Sequence, residues 1–400
     1  MVGMWRGSGD RLRSRRASRT SCGDRGLPVK PYTILHTIDS DGPGGAETVV
    51  LNLATRLNTS VFRSIVLVPP GSWLSSRLKE QGVPVLEVSW KVWWDLRGPW
   101  KMIDVVRKYK VDLIHSHLPA QNFYSCLVGA VTNTKTLAMY HGPVELEWSQ
   151  NIKGRIRLWF VRRAADGVVV VCDLVKRLLV QLGFEKDRIA LAYNGIDPFP
   201  YAAHGQPFLR RELGLPPEHR LVGMIANVRP SKGYDVFVQA CAEVCKKHSD
   251  VTFLAVGDVN EEVAAPIKRM HEKLSLGNRF RFLGFRSDVS RILKELNVFV
   301  LASTSEGMPL AILEAMAAGT PVISTNCGGI PEVIDHERTG LLVSPSDHNA
   351  LSEAISRLFA DPEYSGKLGT QAQDKFYKEF TLDGMIERYE KLYLSYLRQR

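Results

Sequence analysis

The sequence lacks the long apolar runs that a membrane-spanning helix requires. Such a helix takes about 20 consecutive apolar residues, and no stretch of this chain approaches that length. The sequence also lacks a CxxC pair, since its 6 cysteines are scattered. Cys241 and Cys245 fall four residues apart in a helical pattern, which is typical of core packing. We therefore expect reduced thiols and a cytoplasmic protein.

Outside the first thirty residues the sequence also lacks a large excess of positive charge. The formal net charge is +10, but residues 1–30 hold seven Arg and one Lys against two Asp, which leaves +4 for the rest. That excess does not favour nucleic acid as a partner, and it suits an anionic substrate or an anionic membrane surface. Residues 1–30 have no apolar core of a secretory signal, and we expect a disordered basic leader there.

Strands alternate with helices along the rest of the chain, which predicts parallel sheets with right-handed crossovers. The strands predicted in the first half are Tyr32–Ile38, Ser64–Val68, Val83–Val88, Leu113–Ser116, Thr136–Tyr140, Val168–Cys172 and Ile189–Tyr193. Those predicted in the second half are Leu221–Ala226, Thr252–Val256, Arg279–Leu283, Val298–Ala302, Pro321–Ser324 and Leu341–Val343. Two helices are expected after the last strand, the final one being Leu382–Leu397.

The stretch that carries most of the chemistry is Ser303–Gly329. It predicts a loop, then a helix from Pro309 to Ala318 that Gly319 ends, because proline suits the first helical position and glycine the C-terminal cap. The unpaired N–H groups and positive dipole end of a helix N-terminus bind phosphorylated ligands. Glu306 in the loop and Glu314 inside the helix add carboxylates that can accept hydrogen bonds from sugar hydroxyls.

A glycine-rich loop, Asp39–Glu47, follows the first predicted strand and can hold a phosphate on its backbone N–H groups. It is not a dinucleotide fingerprint, because Glu47 stands where the third glycine belongs and the next strand ends in two prolines. Asp39 and Asp41 form an Asp-x-Asp pair, but they precede the glycine loop instead of following a later strand, so a metal site is disfavoured.

Basic and imidazole side chains follow other predicted strands. Arg229 and Lys232 lie three residues apart at a helix mouth, where a planar fork and a point charge can bind a diphosphate together. His117 and His141 lie at or just past strand ends, at the sheet edge that faces the ligand crevice in doubly wound folds. The alternative for the two histidines is a structural role, and the alternative for Arg229 and Lys232 is an exposed basic turn.

Together these motifs closely resemble the family 4 retaining glycosyltransferases over about residues 30–380. The matching residues are Glu306 and Glu314 with seven between them, Gly319-Thr320-Pro321-Val322, Gly328-Gly329-Ile330-Pro331-Glu332, Arg229 with Lys232-Gly233, Gly44-Gly45-Ala46-Glu47 and Asn194-Gly195-Ile196-Asp197. The resemblance implies an α/β GT-B architecture, with two Rossmann-like, doubly wound parallel-sheet domains facing across a cleft. The implied boundaries are 31–198 for an N-terminal acceptor domain, 199–219 for a linker, 220–378 for a C-terminal nucleotide-sugar domain and 379–400 for a helix packing back on the first domain.

The resemblance also implies a role for each site residue. Catalytic roles fall on Glu306, His141, Arg229 and Lys232, and donor contacts on Gly44, Gly45, Arg229, Lys232, Glu306, Gly307, Met308, Pro309, Leu310 and Glu314. No metal and no cofactor are implied, since the donor is a UDP- or GDP-sugar and the acceptor a glycan or a lipid-linked sugar. A sugar-nucleotide epimerase of the same fold and a non-catalytic sugar-nucleotide-binding protein remain open as alternatives.

Two aromatic and basic stretches, Trp90–Lys101 and Trp148–Arg163, raise the question of a membrane partner. Amphipathic segments of this composition can lie in the interface of an anionic bilayer. In soluble domains the aromatic side chains of such segments usually belong to the core. A peripheral position on the inner face of the membrane is therefore one expectation, and simple core packing is the other.

Overall fold

The structure is a computed structural model that describes residues 30–89, 97–202 and 206–398. The elements of the first half are β1 (Tyr32–Thr37), α1 (Gly45–Arg56), β2 (Phe62–Val68), α2 (Trp73–Glu80), β3 (Val85–Glu87), α3 (Arg97–Tyr109), β4 (Leu113–His117), α4 (Pro119–Thr132), β5 (Lys135–Tyr140), α5 (Ile152–Ala164), β6 (Gly167–Val170), α6 (Asp173–Gln181) and β7 (Ile189–Leu191). A 3-10 segment, Pro143–Gln150, joins β5 to α5.

The second half begins with two short helices, α7 (Phe199–Ala202) and α8 (Leu209–Glu212). It continues with β8 (Arg220–Ile225), α9 (Tyr234–Lys247), β9 (Val251–Val256), α10 (Glu261–Lys273), β10 (Phe280–Gly284), α11 (Val289–Glu295), β11 (Val298–Leu301), α12 (Leu310–Ala318), β12 (Val322–Thr325), α13 (Ile330–Val333), β13 (Leu341–Val343), α14 (His348–Ala360), α15 (Pro362–Glu379) and α16 (Leu382–Leu397).

The strands form two parallel sheets, as the sequence predicts. One has the order β3-β2-β1-β4-β5-β6-β7 and the other β10-β9-β8-β11-β12-β13. In each sheet the chain adds three strands outward in one direction and then returns to add the rest on the other side. The reversal falls between β1 and β4 in the first sheet and between β8 and β11 in the second. Ligands of doubly wound folds bind at this place, beyond the carboxyl ends of the strands.

The local sequence explains the strands and most helix boundaries. Strands such as Gly167–Val170 and Val322–Thr325 are buried along their whole length, as expected of parallel sheets covered by helices on both faces. The predicted helix after β11 begins at Leu310, because Pro309 is its N-cap residue, and it ends at Gly319 as predicted. Three helices follow the last strand where two were expected. Asp361 ends α14 and caps a new helix that has Pro362 in its first turn.

The last helix, α16, packs against the first sheet. Tyr389 and Tyr393 are fully buried, and the Tyr393 hydroxyl lies 2.7 Å from Nδ1 of His115 on β4. Two segments connect the sheets, one near Ile196 after β7 and one near Phe380 before α16. They are hydrogen-bonded to each other, since the N–H of Ile196 donates to the carbonyl of Phe380 at 3.1 Å. The two passages between the sheets therefore run side by side.

A carboxylate of the second half, Glu332 on α13, caps the N-terminus of α6 in the first half. Its two oxygens accept hydrogen bonds from the N–H groups of Asp173 at 2.8 Å and Leu174 at 3.2 Å. The hydroxyl of Tyr193 adds a third hydrogen bond at 3.2 Å. The first N–H groups of a helix have no partner inside the helix, and a negative charge there is favoured by the dipole. Glu332 thus ties the two halves together electrostatically.

Replacing Glu332 should therefore destabilise the folded chain. Glu332→Ala leaves these N–H groups without their acceptor, and we expect a loss of about 1–3 kcal/mol, read as a lower midpoint of thermal unfolding. Glu80→Ala is the control, because Glu80 belongs to an exposed pair with Arg77 and should cost less than about 1 kcal/mol. Equal midpoints for the two variants would contradict the assigned role of Glu332.

Candidate active site

The predicted basic and acidic turns of the second domain lie side by side. Arg229 and Lys232 follow β8, Glu306 follows β11, and these two strands are neighbours at the reversal point of the sheet. A backbone hydrogen bond from Thr304 to Ser231, 2.9 Å long, holds the two loops together. The loops that carry the charges therefore meet at the ligand edge of the sheet.

Lys232 and Glu306 form an ion pair within this edge. The Nζ–Oε1 distance is 2.5 Å, and the Ser303 hydroxyl donates to the same carboxylate oxygen at 2.6 Å. The side chain of Lys232 is 24% exposed and that of Glu306 10%. Both charges are thus largely withdrawn from water, where a pair stabilises the fold little but is held in a defined geometry. An anionic ligand that enters here would compete with Glu306 for Lys232.

Arg229 lies three residues before Lys232, and its guanidinium group is accessible to a ligand. Its side chain is exposed, and it has no hydrogen-bond or ion-pair partner in the described part of the chain. The turn that follows Lys232 depends on Gly233, which has φ +67° and on which a Cβ would overlap the carbonyl oxygen of Ala302. Only glycine fits at position 233 without strain. The tight turn therefore fixes the position of the Lys232 backbone, from which its side chain extends to Glu306.

The loop after β11 also touches the first domain. A Cβ on Gly307 would overlap the carbonyl oxygen of His141, so the two backbones are in direct contact. The side-chain amide of Asn194 donates to the carbonyl of Met308 at 3.1 Å. A Cβ on Gly45, at the start of α1, would lie 4.0 Å from Leu310. The predicted residues of the two domains therefore face one another across the same cleft.

His141 lies at the end of β5 with both its backbone and its ring engaged. Its N–H donates to Oε1 of Glu145 at 2.8 Å, and its Nε2 lies 3.0 Å from Nδ1 of His117. Burial lowers the pKa of His141 to about 4, so the ring is neutral at physiological pH. A neutral imidazole can orient a ligand by hydrogen bonding, but it does not supply positive charge.

The structure adds two carboxyl groups that the sequence reasoning did not assign to the site. Burial raises the pKa of Glu145 to about 8, and the charge of Asp39 adds to this rise. Burial likewise raises the pKa of Asp39 to about 6, with a contribution from Glu47. In the sequence Asp39 stands out only as half of the disfavoured Asp-x-Asp pair. The position of Glu145, four residues after a histidine at a strand end, was the signal available for it.

Glu314 lies on α12, where its partner comes from the linker. Tyr201 of α7 hydrogen-bonds to its carboxyl group. Burial raises the pKa of Glu314 to about 7, and the hydrogen bond from Tyr201 opposes that rise. The sequence reasoning named Glu314 but missed Tyr201, because nothing in the linker sequence indicates which helix it will touch.

Two family models match this chain, one in each half. Residues 43–198 match the model described as Glycosyltransferase Family 4, and residues 205–375 match that of Glycosyl transferases group 1. Each match takes in most of one of the two parallel sheets, together with the loops just described. The chain belongs to the family 4 glycosyltransferases. It is therefore an enzyme that transfers a glycosyl group, and the resemblance inferred from its motifs is confirmed.

Curated relatives and solved structures agree with this assignment. The chain is 27% identical to N-acetyl-alpha-D-glucosaminyl L-malate synthase of Bacillus anthracis over 76% of this chain and 80% of that protein. It is 23% identical to the Escherichia coli UDP-Gal:alpha-D-GlcNAc-diphosphoundecaprenol alpha-1,3-galactosyltransferase over 82% and 86% of the two chains. Its fold matches that of Anabaena HepE, solved with UDP and glucose, with a TM-score of 0.82 at 21% identity, covering 91% of this chain and all of that one. The architecture is GT-B, as predicted.

The raised pKa of Glu314 gives a test of the site that needs no substrate. The folded chain holds this proton more tightly than the unfolded chain, in which the ordinary pKa is 4.5. The contribution of Glu314 to stability is therefore largest below pH 4.5 and falls as the pH rises through about 7. Glu314→Gln removes this dependence, so over that range the variant should gain about 1–3 kcal/mol relative to the wild type.

The measurement is the unfolding midpoint of each protein at a series of pH values. The exposed Glu218→Gln serves as a control and should follow the wild type throughout. If the Glu314→Gln and wild-type curves stay parallel from about pH 4 to about pH 8, then Glu314 does not titrate in this range and its environment is more polar than described.

Proposed function

We propose that this glycosyltransferase moves a hexose-type sugar from a UDP- or GDP-sugar to a glycan or lipid-linked acceptor, with retention of the anomeric configuration. The observation that carries the proposal is the convergence of Arg229, Lys232 and Glu306 at one sheet edge, opposite His141. The names of the relatives support it, since one includes a UDP-galactose donor and a diphosphoundecaprenol-linked acceptor. We assign the acceptor to a domain at 31–198 and the donor to a domain at 220–378, joined by a linker at 199–219.

The two basic side chains serve the donor diphosphate in this proposal. Arg229 offers a planar fork that is free of partners in the described chain, and Lys232 offers a point charge already held at the cleft. Both interactions strengthen as the bond to the sugar breaks, because negative charge then develops on the leaving nucleoside diphosphate. Lys232 exchanges Glu306 for phosphate when the donor binds, and Glu306 is then free to accept hydrogen bonds from the sugar hydroxyls.

Backbone groups around the sugar complete the donor site. The N–H groups of Gly307, Met308 and Leu310 lie at the start of α12, whose dipole favours negative charge. Pro309 contributes no N–H, and its fixed backbone turns the chain into the helix. In the first domain, Gly44 and Gly45 let the backbone at the start of α1 approach the phosphates.

The remaining groups orient the two sugars. The neutral ring of His141 directs the donor sugar near its anomeric carbon, held by His117 from behind. We assign the acceptor hydroxyls to Asp39 and Glu145, two carboxyl groups of the first domain that lie near His141 and near each other. Glu314 binds the ribose of the nucleotide, and Tyr201 holds its carboxyl group in place.

A thermal-shift screen tests the donor half of the proposal. Sugar nucleotides and bare nucleoside diphosphates of uridine and guanosine should raise the unfolding midpoint in proportion to their affinity. Arg229→Ala should weaken nucleotide binding and lower kcat/KM by about tenfold to hundredfold, because a charge-assisted contact to phosphate is lost. Lys247→Ala, at an exposed lysine on α9, should change neither quantity.

Product analysis then separates the proposal from its alternatives. A transferase forms the glycosylated acceptor and free nucleoside diphosphate, whereas an epimerase converts the donor without an acceptor. A binding protein stabilised by nucleotide but without turnover on any donor and acceptor pair would rule out the proposed reaction. Normal activity of Arg229→Ala would show that the diphosphate lies elsewhere.

We also propose that the first domain docks on an anionic bilayer through helix α5. Three large apolar side chains on one face of this helix are exposed: Ile152 by 67%, Ile156 by 58% and Trp159 by 51%. Exposed basic residues, Lys153, Arg155 and Arg163, flank them, and the Arg163 guanidinium lies over the Trp159 ring at 5.2 Å. An apolar stripe edged with cations complements an anionic lipid surface.

The structure describes only parts of the two aromatic and basic stretches, Trp90–Lys101 and Trp148–Arg163. Residues 90–96 and the side chain of Trp148 lie outside what the structure describes, while Trp100 on α3 is 63% exposed. Helix α4 packs against both α3 and α5, so the three helices cover the same face of the first sheet. Among the described helices none is long and apolar enough to cross a bilayer.

Co-sedimentation with liposomes tests the docking surface. The wild type should bind vesicles that contain anionic lipid at low salt and release them as salt is raised, because the attraction is screened. Replacing both Ile156 and Trp159 with serine should reduce the bound fraction severalfold. Phe285→Ser, at an exposed phenylalanine of the second domain, is the matched control and should bind like the wild type. Absence of wild-type binding at low salt would contradict the proposal.

A further inference from the structure

Three histidines lie together on one face of the first sheet. His36 on β1 is the register partner of His115 on the neighbouring strand β4, so their side chains point to the same face. His117 follows two residues after His115 on the same strand and therefore points that way too. All three side chains are fully buried, and the rings of His36 and His115 lie against Tyr393 of α16. One nitrogen from each ring lies within 4.8 Å of the others.

Each of these rings has at least one nitrogen without a hydrogen bond. His115 uses Nδ1 for the Tyr393 hydroxyl at 2.7 Å, and His117 uses Nδ1 for Nε2 of His141 at 3.0 Å. Nε2 of both rings, and both nitrogens of His36, have no hydrogen-bond partner in the described part of the chain. Buried polar atoms are nearly always satisfied, so four unpaired nitrogens in one place need an explanation.

The arrangement matches the pattern of metal-ligating histidines. Such a ring binds the ion with one nitrogen and donates its other N–H to a supporting group that fixes its orientation. Tyr393 and His141 stand in that supporting position for two of the three rings. Nitrogens that share a tetrahedral Zn²⁺ lie about 3.4 Å apart, so small side-chain rotations suffice to close the site. Burial lowers the pKa of all three rings, which keeps them in the neutral form that a metal requires.

We infer that His36, His115 and His117 form a site for one divalent transition metal, with Zn²⁺ as the ion that best suits three imidazoles. The ion would satisfy three of the four unpaired nitrogens, one from each ring, and join β1, β4 and, through Tyr393, helix α16. This inference does not rest on the proposed sugar transfer, because the three rings are chosen by their spacing, burial and unpaired nitrogens alone, although His117 also contacts His141.

The test is metal binding by the full chain, free of any polyhistidine tag. The protein is unfolded in denaturant with a chelator, refolded with and without Zn²⁺ or Co²⁺, and freed of unbound metal. The wild type should retain one metal per chain, show the visible absorption of tetrahedral Co²⁺ and unfold at a higher temperature with metal than without. His36→Gln should lower the Co²⁺ affinity by more than about tenfold. His271→Gln, at a histidine of the second domain with its own hydrogen bond to Gly277, should not change it.

A second variant keeps the inference testable if His36→Gln does not fold. Tyr393→Phe removes only the hydroxyl that supports His115, so it should keep one metal per chain with an affinity lowered by about tenfold. Wild-type protein that refolds to the same midpoint without metal uptake would overturn the inference. So would Co²⁺ binding that is unchanged in both variants, since the ion would then be held by surface groups.

Discussion

The contact between two backbones, at Gly307 of the second domain and His141 of the first, is the constraint on which the site depends. There is no room for a side chain between them, because a Cβ on Gly307 would overlap the His141 carbonyl oxygen. This contact sets how far the loop after β11 lies from the end of β5. It thereby fixes the separation between Glu306 and the His141 ring, the groups that we assign to the transferred sugar.

Hydrogen bonds between the two domains hold the same arrangement at a distance from this contact. Asn194 binds the Met308 carbonyl, and Glu332 caps helix α6 from across the cleft. Each of these hydrogen bonds contributes modestly to stability, and together they restrict the distance between the two domains. These polar contacts accompany apolar ones, since Cys172 and Ile196 of the first domain belong to the same buried hydrophobic cluster as Met308 and Met385.

The sequence predicted the parts of the site that local patterns determine. Arg229, Lys232 and Glu306 could be placed together because each follows a strand, and parallel strands end at one edge. The sequence could not predict Tyr201, because its role arises from a contact with Glu314 far along the chain. Glu145 left only a local signal, its position four residues after His141. His36 and His115 lie within predicted strands, and no local pattern in the sequence marks them as part of a site. Pro362 is a local signal in the sequence, and it begins the middle one of the three helices after the last strand, where two helices were predicted.

Helix α16 has a consequence for how the protein is made. Tyr389 and Tyr393 complete the buried layer over the first sheet, although they belong to the last residues that the structure describes. While the ribosome synthesises the second domain, the first sheet exposes the apolar surface that these tyrosines later cover. The first domain therefore reaches its final packing only after α16 has left the ribosome, and a chaperone that shields this face in the interval would meet a surface that includes His115.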